Sequence, residues 1–397
     1  VKVLEGIVVA DLSRVLAGPF CAQQLADMGA DVIKVESPDG DENRRWQPQL
    51  PNGHSSNYAS VNRGKRAMTL NLKAARGPEI LRRLIKRSDV LLHNFLPDTA
   101  ERLGLGYDAV CAINPRLVYC TINGYGEKGP LRNKPGYDLM VQAFSGTMST
   151  TGFEGGLPVR TGVSFIDMST GLAAYGAIVA ALFARERTGQ GAWVHGSLLE
   201  TAVSLLGYHA ISWLQGGRLP VKQGSGSSSS VPYQAFECSD GHILVGAPND
   251  AAWARFCDAL DAPDWAADPR FASIQSRVAH RAVLVPLIEE RFRQDTAANW
   301  TEKLEAKGVA VSPLHTLEQV FRHPQVLAND MLTEVTDVDG APMPLVGMPF
   351  KVTSAAGDSA PSTRPVPRLG AHTDEILRDV LGYSDADIRA LRDEGAV

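Results

Sequence analysis

Apolar and polar positions follow two rhythms along the first 200 residues. Gly6–Leu12 (GIVVADL), Asp31–Glu36 (DVIKVE), Ala67–Leu72 (AMTLNL), Asp89–Phe95 (DVLLHNF) and Leu117–Ile122 (LVYCTI) are short, mostly apolar runs. Such runs predict buried strands. Between them the spacing turns helical: Phe20, Gln24, Leu25 and Met28 fall on one face, and Ile80, Leu81, Leu84 and Ile85 on another. Ala17-Gly18-Pro19 breaks the first run, and Gly29 closes the helix after it. Strand, helix, glycine, strand is a βαβ unit, and its repetition predicts a parallel sheet. The fold class is α/β, with a large doubly wound, Rossmann-like domain.

The pattern then changes. Gly162–Phe183 reads GVSFIDMSTGLAAYGAIVAALF. A polar loop is expected to end at Asp167, with a helix after it and Ser169 and Thr170 at its mouth. Gly171–Phe183 carries no charge, so this helix is expected to be buried on all sides. The run from Gly171 is too short to cross a bilayer core of ~30 Å. Asp167 then has two readings: a cap for the helix, or a carboxylate held against apolar walls for chemistry. A helix over Tyr137–Met148 precedes this segment. Gly189-Gln190-Gly191 ends it, Ala192–Ser197 forms a strand, and Leu198–Leu214 a further helix.

Gly216–Ser230 (GGRLPVKQGSGSSSS) reads as a mobile linker. A smaller α+β domain follows. It opens with a hairpin, Tyr233–Cys238 and His242–Gly246 about Asp240-Gly241, and continues in helices to about Gln319. A second hairpin turns at Asp339-Gly340. Pro361–Pro367 is extended, and helices over Thr373–Leu381 and Ala386–Asp393 finish the chain. The expected division is 1–215 for the large domain, 226–325 for the small one and 345–397 for a return to the first. Residues 216–225 and 326–344 connect them.

Composition narrows the function. The chain has 397 residues, 44% hydrophobic and 21% charged, with net charge −5. No Lys/Arg block stands out, so nucleic acid is not an expected partner. Five scattered cysteines without a CxxC pair suit a reduced, cytoplasmic setting. Nine histidines form no HExxH pattern, so no metal is expected. His93 and His195 lie in strand-like runs and read as core histidines. No basic segment followed by an apolar one opens the chain, so neither a signal peptide nor a membrane is expected. Doubly wound sheets bind ligands beyond the carboxyl ends of their strands. The loops there are Arg14–Pro19, Asn94-Phe95 and Asn123–Gly126. None is a GxGxxG or Walker sequence, so a nicotinamide or P-loop reading is weak.

Eight stretches carry a resemblance that runs nearly end to end. They are Asp11–Glu36 (DLSRVLAGPFCAQQLADMGADVIKVE), Asn62–Lys73 (NRGKRAMTLNLK), Asp89–Pro97 (DVLLHNFLP), Gly124–Pro130 (GYGEKGP), Pro135–Asp138 (PGYD), Pro158–Gly171 (PVRTGVSFIDMSTG), Val231–Phe236 (VPYQAF) and Leu369–Leu377 (LGAHTDEIL). In this order they resemble the family III CoA-transferases of the CaiB/BaiF type. That group includes formyl-CoA:oxalate transferase, carnitine CoA-transferase and α-methylacyl-CoA racemase. The chain is most similar to members that move CoA between dicarboxylic acids, such as the succinate–hydroxymethylglutarate type.

The resemblance implies an enzyme that moves CoA, bound as a substrate carrier, from an acyl-CoA to a carboxylic acid. Succinyl-CoA or another dicarboxyl-CoA is the implied donor. Asp167 matches the nucleophile. Val15 and Ala17 match positions at the adenine or pantetheine, and Leu70 and Lys73 positions beside the nucleotide. Asn94, Phe95 and Arg102 match a backbone-and-cation set. Tyr137 matches a tyrosine near the thioester, next to Asp138. Gly224 and Gly226 stand in the Gly-rich lid. Leu16 replaces a glutamine near the acyl group, and Ser37, Asn123 and Pro135 replace basic residues at the nucleotide. The phosphates are thus left to Arg14, Lys65, Arg66 and Lys128. The resemblance also implies an interlocked, ring-like homodimer. A racemase of the same family is the main alternative, although Tyr137-Asp138 stands where racemases carry His-Asp. A non-catalytic CoA-binding protein is a second alternative.

Overall fold

The computed structural model describes residues 2–355 and 357–397. The chain divides into two compact units. The first takes residues 1–147, 161–210 and 324–397, and the second residues 148–160 and 211–323.

The first unit is built on a six-stranded parallel sheet. Its strands are β1 (Val8–Asp11), β2 (Asp31–Glu36), β3 (Arg66–Thr69), β4 (Val90–His93), β5 (Val118–Asn123) and β6 (Ala192–Ser197). Their order is β3-β2-β1-β4-β5-β6, so the strand order reverses between β1 and β4. Every ladder is parallel, with Val9 opposite Val32 on one side and Val90 on the other. Side chains alternate across the sheet. Ala10, Ile33, Met68 and Leu91 face helix α2 (Gly77–Arg87), and Ile376, Leu377 and Leu391 pack into the same core. Val9, Val32, Leu92 and Cys120 share the opposite core with α1 (Ala17–Asp27) and the long helix α4 (Phe165–Thr188). Between α1 and α4 in the sequence's fold lies a short helix, α3 (Asp138–Phe144), and after α4 comes α5 (Leu198–Leu205).

Three local expectations change. Ala17-Gly18-Pro19 opens α1 instead of breaking the run before it. A proline in the first turn lacks only an N–H that has no intrahelical acceptor there. The stretch Leu198–Leu214 is two helices, parted at Gly207 with φ +48°. The long helix starts two residues before Asp167, at Phe165, and is not buried all round. It buries Ile166, Asp167, Thr170, Gly171, Ala174, Ile178 and Leu182, while Phe183 on another face is 65% exposed. With 24 residues it is long and apolar enough to cross a membrane, contrary to the shorter run read from the sequence. Here it packs along α1 and beside β5 and β6.

The second unit carries a three-stranded antiparallel sheet, β7 (Tyr233–Glu237), β8 (His242–Gly246) and β9 (Ala310–Pro313), in that order. Phe236, Phe256, Phe271, Phe292, Trp253 and Trp300 fill its core. The Gly/Ser stretch is not the free linker its composition suggests. Gly224 N–H donates to Gly152 O at 2.8 Å, Ser227 N–H to Tyr233 O at 3.0 Å, and the Arg281 guanidinium to the Ser227 and Ser230 carbonyls.

One glycine sets how closely α4 approaches α1. A Cβ at Gly171 would stand 2.6 Å from Ala17 O and 3.1 Å from the Phe20 ring, and the carbonyl is backbone that cannot swing away. Elsewhere in a helix, Gly→Ala gains up to about 1 kcal/mol. Gly171→Ala should instead lose about 1–3 kcal/mol, as overpacked cores do. Denaturant unfolding measures the sign, and a gain in stability would refute the close contact.

Candidate active site

The site is built around the start of α4. A helix leaves its first N–H groups without intrahelical acceptors. Ser164, at the N-cap position, makes no side-chain cap. Asp138, 28 residues earlier in the chain, supplies the acceptor. Its Oδ2 takes the N–H of Ile166 at 2.9 Å and that of Asp167 at 3.0 Å. Its Oδ1 accepts from the Gln142 amide one turn along α3. The Gln142 Oε1 in turn accepts from Thr161 N–H at 3.1 Å. Phe165 N–H is bonded to Val163 O and Met168 N–H to Ser164 O. Asp167 is therefore not the cap. Its own carboxylate is left for other work, and the Thr170 hydroxyl is satisfied inside the helix at Ile166 O.

Asp167 is 8% exposed and Asp138 7%. Burial, and then the negative charge of Asp138, push the Asp167 carboxyl up to about 7. Desolvation disfavours the charged form, and a neighbouring anion adds to it. The group sits at the neutral point, where a carboxylate can act as nucleophile or base while its acid is still accessible.

Asp167 opens into a cleft of about 310 Å³. The cleft lies beyond the ends of β1, β4 and β5, at the point where the strand order reverses. Arg14, Val15, Leu16, Ala17, Asn94, Phe95 and Tyr137 line it together with Asp167. So do Asn123 and Pro135. Gly124 and Gly136 meet here back to back: a Cβ on either would stand 2.7 Å from the other's Cα.

The β1–α1 loop is held by buried charges. Asp11 accepts from Ser13 N–H at 3.0 Å and from Lys65 Nζ at 2.9 Å. Lys34 Nζ donates to Ser13 O at 3.0 Å and to Asp41 at 3.1 Å. Asp41 also accepts Val15 N–H, and Asn43 donates to Val15 O at 2.6 Å. Val15 is thereby held at φ +71°, which a β-branched residue adopts only under constraint. Asn94 clamps the next residue back, accepting Arg14 N–H at 3.0 Å and donating to Arg14 O at 2.8 Å.

The other expected residues fall in different places. Leu70 and Lys73 line a second cavity of about 600 Å³, which shares Arg14 and Phe95 with the cleft. Ser37 lies there too. Arg102 lines neither; it is exposed, with its guanidinium on the Thr99 hydroxyl at 3.1 Å. Asp138 stands behind the α4 terminus and not on the cleft wall. Gly224 and Gly226 belong to the second unit. Two expected phosphate cations are excluded by their partners. Lys65 is fully buried on Asp11, Asn62 and Pro19 O, and Arg66 is taken up by Asp31 and Glu375. Lys128 lines a third cavity, beside Arg132. His93 is a core histidine, with Nε2 on Tyr119 OH at 2.8 Å, and burial pushes it down to about 3. His195 is exposed on β6 instead.

Sequence reasoning missed Gln142 and the Asp41–Asn43 brace. The first had a signal: it stands four residues after Asp138 on one helix face. The second had none, because its partners come from separate loops.

Among known proteins, a family model described as CoA-transferase family III matches residues 4–373. The chain is 39% identical over 398 residues to succinyl-CoA:glutarate CoA-transferase of Homo sapiens, covering 100% of this chain and 90% of that protein. It is 35% identical to succinate–glutarate CoA-transferase of Agrobacterium fabrum, covering 95% of each. A solved CaiB/BaiF family protein from Brucella suis superposes with a TM-score of 0.85 at 36% identity, covering 95% of this chain and 99% of that one.

The raised Asp167 pKa has a stability consequence. Between the unfolded value near 3.9 and the folded value of about 7, the native state holds the proton and the unfolded state does not. Stability contributed by this group is therefore full below pH ~4 and is lost as pH rises towards 7. Asp167→Asn keeps the neutral shape and should stabilise the protein by about 2–4 kcal/mol at pH 8, with little gain at pH 4. Thermal unfolding at both pH values measures this, and an equal effect at both would contradict the shift.

Proposed function

The chain belongs to CoA-transferase family III, and we propose that it moves CoA between an acyl-CoA and a dicarboxylic acid through a covalent intermediate on Asp167. The observation that carries the reading is the uncapped, nearly dry Asp167 carboxylate at the start of α4.

The Asp167 carboxylate attacks the carbonyl carbon of the donor thioester. The C–S bond breaks with its electron pair, giving a mixed anhydride and the CoA thiolate. The thiolate attacks the Asp167 carbonyl carbon of that anhydride. The donor leaves as a free carboxylate, and Asp167 now carries CoA as a thioester. The acceptor carboxylate attacks this thioester and re-forms an anhydride. The thiolate then attacks the acceptor's carbonyl, releasing acyl-CoA and the Asp167 carboxylate. No net proton moves, and the thioester energy is conserved. Covalent catalysis divides one hard exchange into easier ones. Exclusion of water protects the anhydride.

Each oxyanion needs N–H donors. The start of α4 has none to spare, since its leading donors are bonded. The start of α1 does: Leu16 and Ala17 line the cleft, and their N–H groups have no hydrogen-bond partner among the described residues. They are the donors in this reading. The cavity at Leu70 and Lys73 takes the nucleotide end of CoA, Phe95 lies along its path, and Arg14 faces a phosphate where the two cavities meet.

The names of the relatives point to succinyl-CoA as donor and a five-carbon dicarboxylate as acceptor. The racemase reading needs two free bases. Asp138 is engaged by three donors and stands off the cleft wall, so it offers no second one. A cytoplasmic setting fits five free cysteines, four of them buried. Self-association belongs to the same reading: Met140, Phe144, Phe183 and Leu205 on α3, α4 and α5 are each at least half exposed. Large exposed apolar side chains gathered on neighbouring elements are what an interaction surface is made of.

Incubation with acyl-CoA donors and dicarboxylic acids should give transfer with succinyl-CoA and glutarate, and none in Asp167→Ala. Hydroxylamine added with the donor alone should tag Asp167 in peptide mass spectra. Full activity in Asp167→Ala would end the covalent reading. Light scattering should give twice the chain mass, and a monomer at micromolar concentration would end the proposal of self-association.

A further inference from the structure

Gln142 touches neither the cleft nor Asp167, yet it is 1% exposed and both ends of its amide are in use. Its Nε2 donates to Asp138 Oδ1, and its Oε1 accepts from Thr161 N–H at 3.1 Å. Thr161 begins the loop that leads into α4. One side chain thus ties α3, with the carboxylate that caps α4, to the entry of α4. The fork-like amide also settles how Asp138 is turned. With Oδ1 held by Gln142, Oδ2 is left for the N–H groups of Ile166 and Asp167.

We propose that Gln142 is a positioning residue for group transfer: it holds the Asp138 carboxylate across the first turn of α4, and so fixes both the place of Asp167 and the charge that faces it. This rests on the reading of Asp167 as the nucleophile. Two helix N–H groups and the Gln142 amide hold the Asp138 carboxylate from both oxygens, and its charge lies beside Asp167. It does not accept the proton or attack the thioester itself.

Few other groups bear on Asp167. Arg14, Glu42 and Tyr137 line the same cleft. Glu200 on α5 is bonded to the Ser197 hydroxyl at 2.7 Å. Cys21 on α1 is buried, and burial holds its thiol well above its usual range, so it stays neutral. Asp138 is the charge that raises the Asp167 carboxyl, after burial itself.

The test is a double-mutant cycle on the full chain with succinyl-CoA as donor. Asp138→Asn keeps an acceptor for the helix N–H groups and removes the charge. It should move the acid limb of the kcat/KM profile down by at least one pH unit. Gln142→Leu keeps the volume and removes both hydrogen bonds. It should lower kcat about tenfold with the donor KM within twofold. In the Asp138→Asn background the same change should cost less than threefold, because Gln142 acts through the carboxylate. A residue that serves stability alone would multiply its cost in both backgrounds. Costs that multiply, or an unmoved limb in Asp138→Asn, overturn the proposal. Gln142→Met replaces Gln142→Leu if the latter does not fold. Asp167→Ala separates the two levels. If it is active, the nucleophile reading has failed; if it is inert and the costs multiply, only the role of Gln142 has failed.

Discussion

The carboxylate of Asp138 lies across the first turn of α4 and accepts two of its N–H groups. A cap of this kind is ordinarily local, and removing it costs about 1 kcal/mol. Here the cap comes from another helix, α3, and its distance in sequence has a chemical effect. Asp167 sits in the first turn of a long apolar helix, where an acidic residue would normally spend its charge on the helix dipole. With that position already served, Asp167 turns into the cleft at little exposure, facing a like charge. Burial, and then that like charge, set its carboxyl near neutrality, and the contact that brings the charge also fixes where Asp167 stands.

The opposite wall depends on buried charge as well. Asp11, Lys65, Lys34 and Asp41 form two ion pairs with no exposed side-chain surface. Such pairs gain little stability over apolar residues, because desolvation offsets the attraction. Their value is in geometry. They grip Ser13 and Val15 and hold the β1–α1 loop in a conformation it would not keep alone. The loop delivers Leu16 and Ala17 to the cleft, and Gly171 lets α4 come close enough to meet them. Two helix starts thereby face one small space, one with its donors occupied and one whose donors have no partner among the described residues.

Much of the scaffold was legible in the sequence. Asp31–Glu36 and Ala192–Ser197 are strands with the boundaries read from the chain, since turn residues flank both runs. The start of α4 was not legible. Local patterning seeks a cap within a few residues, and this one lies on α3. Lys65 and Arg66 look like free cations in a basic stretch, but strands distant in sequence bring Asp11 and Asp31 to them. The Gly/Ser stretch reads as mobile by composition, and Arg281, far along the chain, ties its carbonyls down. Asp167 and most of the cleft lining were found through family likeness, which marks positions without their hydrogen bonds. Gln142 had only its i,i+4 spacing from Asp138 to mark it, a signal that carries weight only once Asp138 is known to cap α4.

The covalent route has a direct isotopic signature. When an acceptor carboxylate attacks the Asp167 thioester and the thiolate then attacks the acceptor carbonyl, the bridging oxygen stays on the protein. A dicarboxylic acid labelled with oxygen-18 in both carboxyl groups, turned over with succinyl-CoA, should leave label in the Asp167 side chain. Peptide mass spectrometry after several turnovers reads it as a shift on the peptide holding Phe165–Thr170 and no other. Turnover that leaves this peptide unlabelled would contradict the account.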